Sequence, residues 1–477
     1  MKELTRQRLI YVTSDFLMLN VGIMIFYVLR YRLLSAVEPT GSFWSWYLFP
    51  NVILGQLFFP LAVEGLYVLS GFYNRSQLYY RSRLDDFTNT LGTSFAGMLL
   101  VYFSAMLNDS FINRALSYEL MLILWACLFI PVYAMRLLIT TRIIRRMGSD
   151  GRGWRTLIVG VAPAAVKEAR RIENSRRKQG MTAVGFIDPM HEYVEEGTEL
   201  EGLPVYGYKT DFRDMKHRQT VDAIVVMPHP SGMNSTLNVI DKLYPLDLPL
   251  LIPPGLHNLI TMRPRTTLVN AEPLVDITNA NVPPRVANTK RLADIIVSSI
   301  GLVVLSPVLL ALAIAVKLDS KGPVIYRQER IGFHKKPFKI LKFRTMHMHA
   351  EDNGPALSST DDPRITRVGR TLRKYRLDEL LQLWNVLKGE MSLVGPRPER
   401  EYYVKQILER VPAYSLIHQV RPGITSWGMV RFGYATTVDE MIERLRYDLL
   451  YLENVSLGVD LKILYHTVDT VLSGRGM

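Results

Sequence analysis

Cysteine is almost missing from this chain: Cys127 is the only one in 477 residues. That excludes an intramolecular disulfide and any metal site built on several thiolates. The scarcity fits a reducing compartment or a membrane interior. Net negative charge is missing as well, because 57 Lys and Arg outnumber 44 Asp and Glu, giving +13 and a pI near 9.6. Such a balance favours anionic partners: nucleic acid, an anionic membrane surface or a phosphorylated substrate. No small-residue cleavage site follows the first apolar run, and similar runs come after it, so that run does not read as a removable leader.

What the chain has in quantity is apolar residues, 48% of the total, and enough length for two or three domains. Runs at 9–31, 46–70, 88–107 and 118–140 each approach the roughly 20 residues that a bilayer-crossing helix needs. Lys2, Arg6 and Arg8, then Arg75, Arg81 and Arg83, then Arg142, Arg145 and Arg146 mark the cytosolic side of these runs. Arg30 and Arg32 disagree, but they adjoin a helix end and can snorkel. The expectation is a membrane α-helical four-helix bundle over residues 1–150, with everything after residue 145 in the cytosol. Asp15 and Glu64 fall inside spans, and they are expected to face neighbouring helices rather than to serve chemistry.

From Arg155 the pattern changes. "TLIVGV", "AVGFID", "VDAIVVMP" and "DLPLLIPP" read as strands separated by helical or polar stretches, which predicts a parallel sheet in a Rossmann-like α/β module over 151–284. Its first strand–helix turn is a damaged dinucleotide fingerprint, with Gly160, Ala162 and Ala165 where three glycines belong. A scaffold or dimerisation module is therefore favoured over a nucleotide site. "TMRPRTTLVN" and "NANVPPRVAN" look like linker.

Residues 292–318 are apolar and long enough to cross a bilayer. However, Lys290 and Arg291 precede them, Lys317 and Lys321 mark the far end, and Ser306-Pro307 interrupts them. Proline removes a backbone donor and forces a bend, and Ser306 can return a hydrogen bond to the freed carbonyl. The residues alone leave a kinked crossing and a re-entrant helix both open.

The next stretch, "KGPVIYRQERIGFHKKPFKILKFRTM", is basic and interleaved with aromatics. Following a membrane segment directly, it suits a lipid interface or phosphate better than nucleic acid, and no nucleic-acid partner is expected. His334, His347 and His349 read as solvated or lipid-facing rather than as metal ligands. In "KYRLDELLQLWNVLKGEMSLVGPRP", Leu377, Leu380, Leu381, Trp384 and Leu387 recur at helical spacing, and Gly389 is the expected stop. Asp378 and Glu379 then open that helix. Taken alone they are ordinary capping acids. Arg373, Lys374 and Arg376 before them and Arg397 after them point instead to a phosphoryl-transfer site. Carboxylates there hold a cation or attack phosphorus, and arginines hold the anion. "YVKQILERV" and "MIERLRYDLLYLENV" are amphipathic and expected to pack on the core.

"KFRTM", "LRKYRLDELLQLWNVLKGEMSLVGPRPE" and "VRPGITSWG", after a Ser-Pro-bent apolar helix, resemble the bacterial monotopic phosphoglycosyl transferases, or polyprenyl-phosphate sugar-1-phosphate transferases. The preceding spans and α/β module are similar to the long, WbaP/WcaJ-like members. The resemblance implies an α-rich catalytic domain at 285–477 whose helix 292–318 is re-entrant and breaks at Ser306 and Pro307. It implies transfer of a sugar 1-phosphate from a UDP-sugar to undecaprenyl phosphate, with UMP released, at the cytosolic face of the bacterial inner membrane. Exopolysaccharide, capsule or O-antigen assembly begins with that step. Asp378 is implied as nucleophile, with Glu379 assisting it and both near Mg2+. Lys342, Arg344, Arg373, Arg376 and Arg397 are implied as substrate-binding, and Arg421 as a weaker candidate for the nucleotide end. Membrane lipids are further partners, and a homodimer is compatible with the spare module. Ser426 and Met429 depart from the commoner "RPGITGWAQV" wording. A membrane-tethered nucleotide sensor without catalysis is the alternative.

Overall fold

The computed structural model describes residues 2–35, 42–74, 83–105, 114–149, 154–174, 181–188, 198–207, 221–229, 231–253, 274–278, 282–348, 350, 362–433 and 435–472. Two compact units result. One comprises Met1–Arg155, Glu168–Ala183 and Thr267–Pro273; the other comprises Thr156–Lys167, Val184–Thr266 and Leu274–Met477.

The first unit is built on helices α1 (Lys2–Ser35), α2 (Phe43–Tyr47), α3 (Pro50–Leu69), α4 (Arg83–Ala105) and α5 (Arg114–Ser149). Helix α1 packs on α3 and α5, burying Leu19, Ile23 and Phe26 beside Leu120, Leu124 and Leu128. Leu54, Phe58, Leu122 and Ile130 stay exposed while Asp15, Thr90 and Arg136 are buried. This is the inverse of a water-soluble bundle, and it marks a membrane protein. Three described helices are long and apolar enough to cross a bilayer: Thr5–Leu34, Pro50–Leu69 and Ala115–Ile143. The span expected at 88–107 forms most of α4, but its hydropathy falls short of theirs, with Asp85 and Asp86 in its first turn.

Asp15 and Glu64 face other helices, as their composition suggested. Arg136 of α5 donates from Nε to both Asp15 oxygens (3.1 and 3.0 Å) and from Nη1 to Thr90 Oγ1 (2.9 Å). Tyr73 Oη lies 2.7 Å from both Asp15 and Glu64. The guanidinium sits 3.4 Å from the Phe72 ring centroid and 4.1 Å from that of Tyr67. A charge in an apolar interior persists only when paired and hydrogen-bonded, and this one is.

A seven-stranded sheet runs β3-β4-β2-β1-β5-β6-β7. Its strands are β1 (Trp154–Val159), β2 (Met181–Asp188), β3 (Glu199–Leu200), β4 (Leu203–Gly207), β5 (Ala223–Val226), β6 (Leu250–Ile252) and β7 (Val275–Asp276). Pairs β1/β5, β2/β4 and β5/β6 are parallel, as alternation with helices predicts. Edge pairs β3/β4 and β6/β7 are antiparallel, so the sheet is mixed rather than wholly parallel. Two-residue edge strands carry no periodic signal. Helix α6 (Pro163–Asn174) follows β1. Leu237, Ile240 and Leu243 of helix α7 (Met233–Leu243) pack on Ile224, Val226 and Leu250. The first of the two expected linker stretches, 261–270, lies outside the described residues.

Helix α8 (Pro284–Val304) meets α9 (Ser306–Asp319) at a 62° bend. Pro307 leaves the Val303 carbonyl without its helical donor, and Ser306 Oγ donates to that oxygen at 2.7 Å, as expected. Val303, Val304 and Leu310 around the bend are exposed, as is Leu318 at the end of α9. Strands β8 (Ile325–Ile331) and β9 (Pro337–Phe343) form an antiparallel hairpin. Its tip corrects the reading of His334 as solvated. The ring is buried, 2.9 Å from Asp247 Oδ1 and stacked on Phe333. His347 is exposed, and His349 lies outside the described residues. Helices α10 (Arg367–Lys374) and α11 (Gln382–Lys388) and strand β10 (Ser392–Val394) follow. After them come α12 (Glu401–Arg410), β11 (Gly423–Thr425), α13 (Trp427–Arg431), α14 (Val438–Glu453) and α15 (Leu457–Leu472). The two amphipathic segments pack as expected: Tyr403, Val404 and Ile407 share a core with Met441, Leu445 and Leu452.

Candidate active site

The acidic pair does not open a helix. Asp378 and Glu379 lie in a 3-10 turn, Leu377–Glu379, and α11 starts only at Gln382, with no side-chain cap at Leu381. Asp378 is therefore not a helix cap. Arg376, just before the turn, takes a left-handed backbone (φ 54), a conformation that β-carbon sterics disfavour and that recurs at functional sites. Gly389 ends α11 in the left-handed region, as its position predicted.

The buried face of α11 also differs from its periodic apolar face. Trp384 is exposed, whereas Gln382, Asn385 and Val386 are buried. Asn385 accepts from Leu341 N (3.1 Å) and donates to Lys339 O (2.9 Å) and Glu390 Oε2 (2.7 Å). One amide thus fixes the helix to β9, the strand that carries Lys342. The sequence reading missed it because an asparagine at an apolar spacing gives no periodic signal.

Three of the expected cations converge on Glu379. Lys342 Nζ donates to Oε1 at 2.7 Å, Arg397 Nη2 lies 3.4 Å from the same oxygen, and Arg376 Nη1 is 3.6 Å from Oε2. Arg373 stands nearby, its Nε donating to Thr345 Oγ1 at 2.8 Å. Arg344 donates from Nη2 to Ser320 O (2.7 Å) and Oγ (2.9 Å), at the end of α9. Its Nε and Nη1 are buried and meet no acceptor among the described residues. Arg421 is not part of this cluster. It donates from Nε to Gly389 O (2.9 Å), at the far end of α11, and lies over the Phe333 ring.

Asp378 is buried, and no described group hydrogen-bonds its carboxylate. Burial pushes its acid up to about 6, helped by the charge of Glu379 and opposed by Lys342, Arg373 and Arg376. Burial acts on Glu379 in the same sense, but Lys342, Arg397 and Arg376 together outweigh it and hold that carboxyl well below the usual range. The pair is thereby split into a firmly ionised glutamate ringed by cations and a bare aspartate, an arrangement suited to nucleophilic attack.

The profile of the family described as "Bacterial sugar transferase" matches residues 285–474. A Klebsiella pneumoniae UDP-glucose:undecaprenyl-phosphate glucose-1-phosphate transferase is 35% identical over 328 residues, 68% of this chain and 68% of that one. The chain belongs to the bacterial sugar transferase family. A Xanthomonas campestris pv. campestris sugar transferase with the same name is 30% identical over 341 residues, covering 70% of this chain and 69% of the relative. An Aeromonas hydrophila UDP-N-acetylgalactosamine-undecaprenyl-phosphate N-acetylgalactosaminephosphotransferase is 43% identical over 193 residues. That match spans 40% of this chain and 46% of the relative, less than half its length. The matched segment of the sugar transferase family contains the whole cluster around Glu379.

Proposed function

We propose that this protein transfers a sugar 1-phosphate from a UDP-sugar to undecaprenyl phosphate, releasing UMP, through a covalent intermediate on Asp378. A bare, buried Asp378 beside a Glu379 ringed by cations is the observation that carries the reading. The ionised Asp378 carboxylate attacks the sugar-bearing phosphorus of the donor. An Asp378–phosphate bond forms, and the bond to UMP breaks, with UMP taking the electron pair. An oxygen of undecaprenyl phosphate then attacks the same phosphorus, breaks the acyl phosphate and restores Asp378. Arg397 and Arg373 hold phosphate oxygens, and Lys342 keeps Glu379 ionised while adding positive potential.

The acidic pair fits Mg2+. No group of three or more metal-ligating side chains occurs among the described residues. Magnesium commonly takes only one or two carboxylates and completes its shell with substrate phosphates and water. Asp378 and Glu379 would hold it, and when bound it would neutralise the charge of the donor diphosphate.

The 62° break between α8 and α9, with cationic residues at both ends of the apolar stretch, supports a re-entrant helix that leaves the catalytic segment in the cytosol at the inner membrane. With α4 counted as a fourth crossing, α1, α3, α4 and α5 form the N-terminal bundle. The strand order β4-β2-β1-β5-β6 supports a Rossmann-like module, used as scaffold or for dimerisation. Exopolysaccharide, capsule or O-antigen assembly is the proposed setting. The relatives' names include both glucose and N-acetylgalactosamine donors, so a panel of UDP-sugars identifies the donor here.

The test is UMP release by membranes carrying the protein. The expected result is release that depends on a UDP-sugar, undecaprenyl phosphate and Mg2+, and is lost in Asp378→Asn. Full activity in that variant would overturn the nucleophile. Nucleotide binding without UMP release would leave the sensor reading in its place.

A further inference from the structure

Behind the turn that carries Arg397 lies a second buried ionic cluster. Arg330 on β8 donates from Nη1 to Pro398 O and to Glu399 Oε2, both at 3.1 Å. Arg444 on α14 donates from Nη2 to the other Glu399 oxygen at 2.6 Å, and the Glu399 carbonyl accepts Ile331 N at 3.0 Å. Glu399 and Arg444 are each only 5% exposed. Burial alone would raise the Glu399 carboxyl, but Arg444, Arg330 and Arg397 outweigh it and keep the group ionised. The residue next to Pro398 is thus fixed through both its carboxylate and its backbone.

Arg444 also backs a second neighbour of Arg397. A Cβ on Gly428 would sit 2.5 Å from Arg444 Cγ, so only glycine allows α13 this close to α14. Asp448, one turn further along α14, accepts Gly428 N at 3.3 Å. Ser426 Oγ caps α13 by accepting Met429 N at 3.0 Å. The Met429 thioether, so placed, lies 3.1 Å from Arg397 Nη1. Arg397 therefore projects from a turn held by Arg444 through Glu399, and its Nη1 meets a helix packed against the Arg444 stem.

We infer that Arg444 is a positioning residue for Arg397, holding from one side chain both the turn that carries this phosphate-binding arginine and the helix that its guanidinium meets. The inference rests on the transferase reading and extends it to a residue that touches no substrate. An arginine recognises phosphate well only when its planar donors are already aimed, and aiming a long free side chain costs rotamer entropy. A fixed turn and a fixed helix contact lower that cost before the donor arrives.

The test is a double-mutant cycle on UMP release, with donor KM and kcat measured at saturating acceptor. Arg444→Met is expected to raise donor KM about tenfold, comparable to losing one charge-assisted hydrogen bond, with kcat within about threefold. Arg444→Lys, which keeps an ammonium for Glu399, is expected to restore most of the loss. In an Arg397→Ala background, Arg444→Met should add nothing. Equal losses in both backgrounds, or a fall in kcat with KM unmoved, would overturn the inference. If Arg444→Met fails to fold, Gly428→Ala forces α13 off the Arg444 stem and is expected to give the same KM-selective, Arg397-dependent loss. An unchanged donor KM in that variant overturns the inference too. A wild-type protein that releases no UMP refutes the transferase reading itself, whereas an active one with additive losses refutes only the positioning role.

Discussion

Asp15 and Asp378 are both buried aspartates beside arginine, yet their surroundings are opposite in kind. Asp15 receives both Arg136 Nε contacts and the Tyr73 hydroxyl, in a pocket roofed by Phe72 and Tyr67. Both oxygens of the Asp15 carboxylate are paired there with a cation or a hydroxyl, and neither is left over for a ligand. Around Asp378 the cations outnumber the acids, and they bond to its neighbour Glu379 rather than to Asp378. A matched cluster ties helices together. A mismatched one stores positive potential and a bare nucleophile, at a cost to the fold that pairing would have relieved.

Substitutions at the two aspartates should therefore part company. Asp378→Asn is expected to cut turnover by about 10⁴-fold, the scale of losing a covalent nucleophile. The same change should raise the melting temperature. Burial favours the neutral form of this group, so ionisation costs stability as pH rises from the unfolded value towards 6, and an amide avoids that cost at pH 7. Arg136→Met strands Asp15 without its cation and should destabilise the first unit by about 3–5 kcal/mol in detergent unfolding. Turnover per folded molecule should stay within about twofold. A loss of turnover as large as that of Asp378→Asn would break the contrast.

Lys342→Met tests the mismatched cluster from its cation side. It should lower kcat/KM about 100-fold, the effect of one charge-assisted contact and its field. The pH profile sharpens this. Attack requires ionised Asp378, so kcat/KM of the wild type should fall as pH drops through about 6. Lys342 draws the Asp378 acid down, so its removal should move that limb to higher pH. The smallest effect belongs to Ser306→Ala, which frees the Val303 carbonyl again and should cost about 1 kcal/mol with the bend retained.

Much of this could be read in the residues, for physical reasons. Long apolar runs, alternating strands and a proline inside a helix act through local sequence, so the apolar helices, the parallel pairs and the Val303–Ser306 hydrogen bond were all expected. Arg136 was not, because a lone arginine inside an apolar run gives no hint of the aspartate about 120 positions away that pairs with it. Adjacent acids before an apolar run predict a helix cap, but the left-handed Arg376 and the Asn385 bridge turn the chain differently and leave Asp378 uncapped. His334 was misread because Asp247, its partner, is remote in sequence. The resemblance implies Arg421 at the nucleotide end; its Nε meets a helix-end carbonyl, outside the cluster on Glu379, a placement that no local signal gives. Local chemistry is legible in sequence, whereas long-range pairing of charges is not.

The most direct measurement is a mass analysis of protein quenched after incubation with a UDP-sugar and Mg2+ in the absence of lipid acceptor. The peptide containing Asp378 should carry the added mass of one sugar phosphate, released on adding undecaprenyl phosphate and never formed by Asp378→Asn. An unmodified Asp378 peptide from a preparation that turns over when acceptor is supplied would contradict the account.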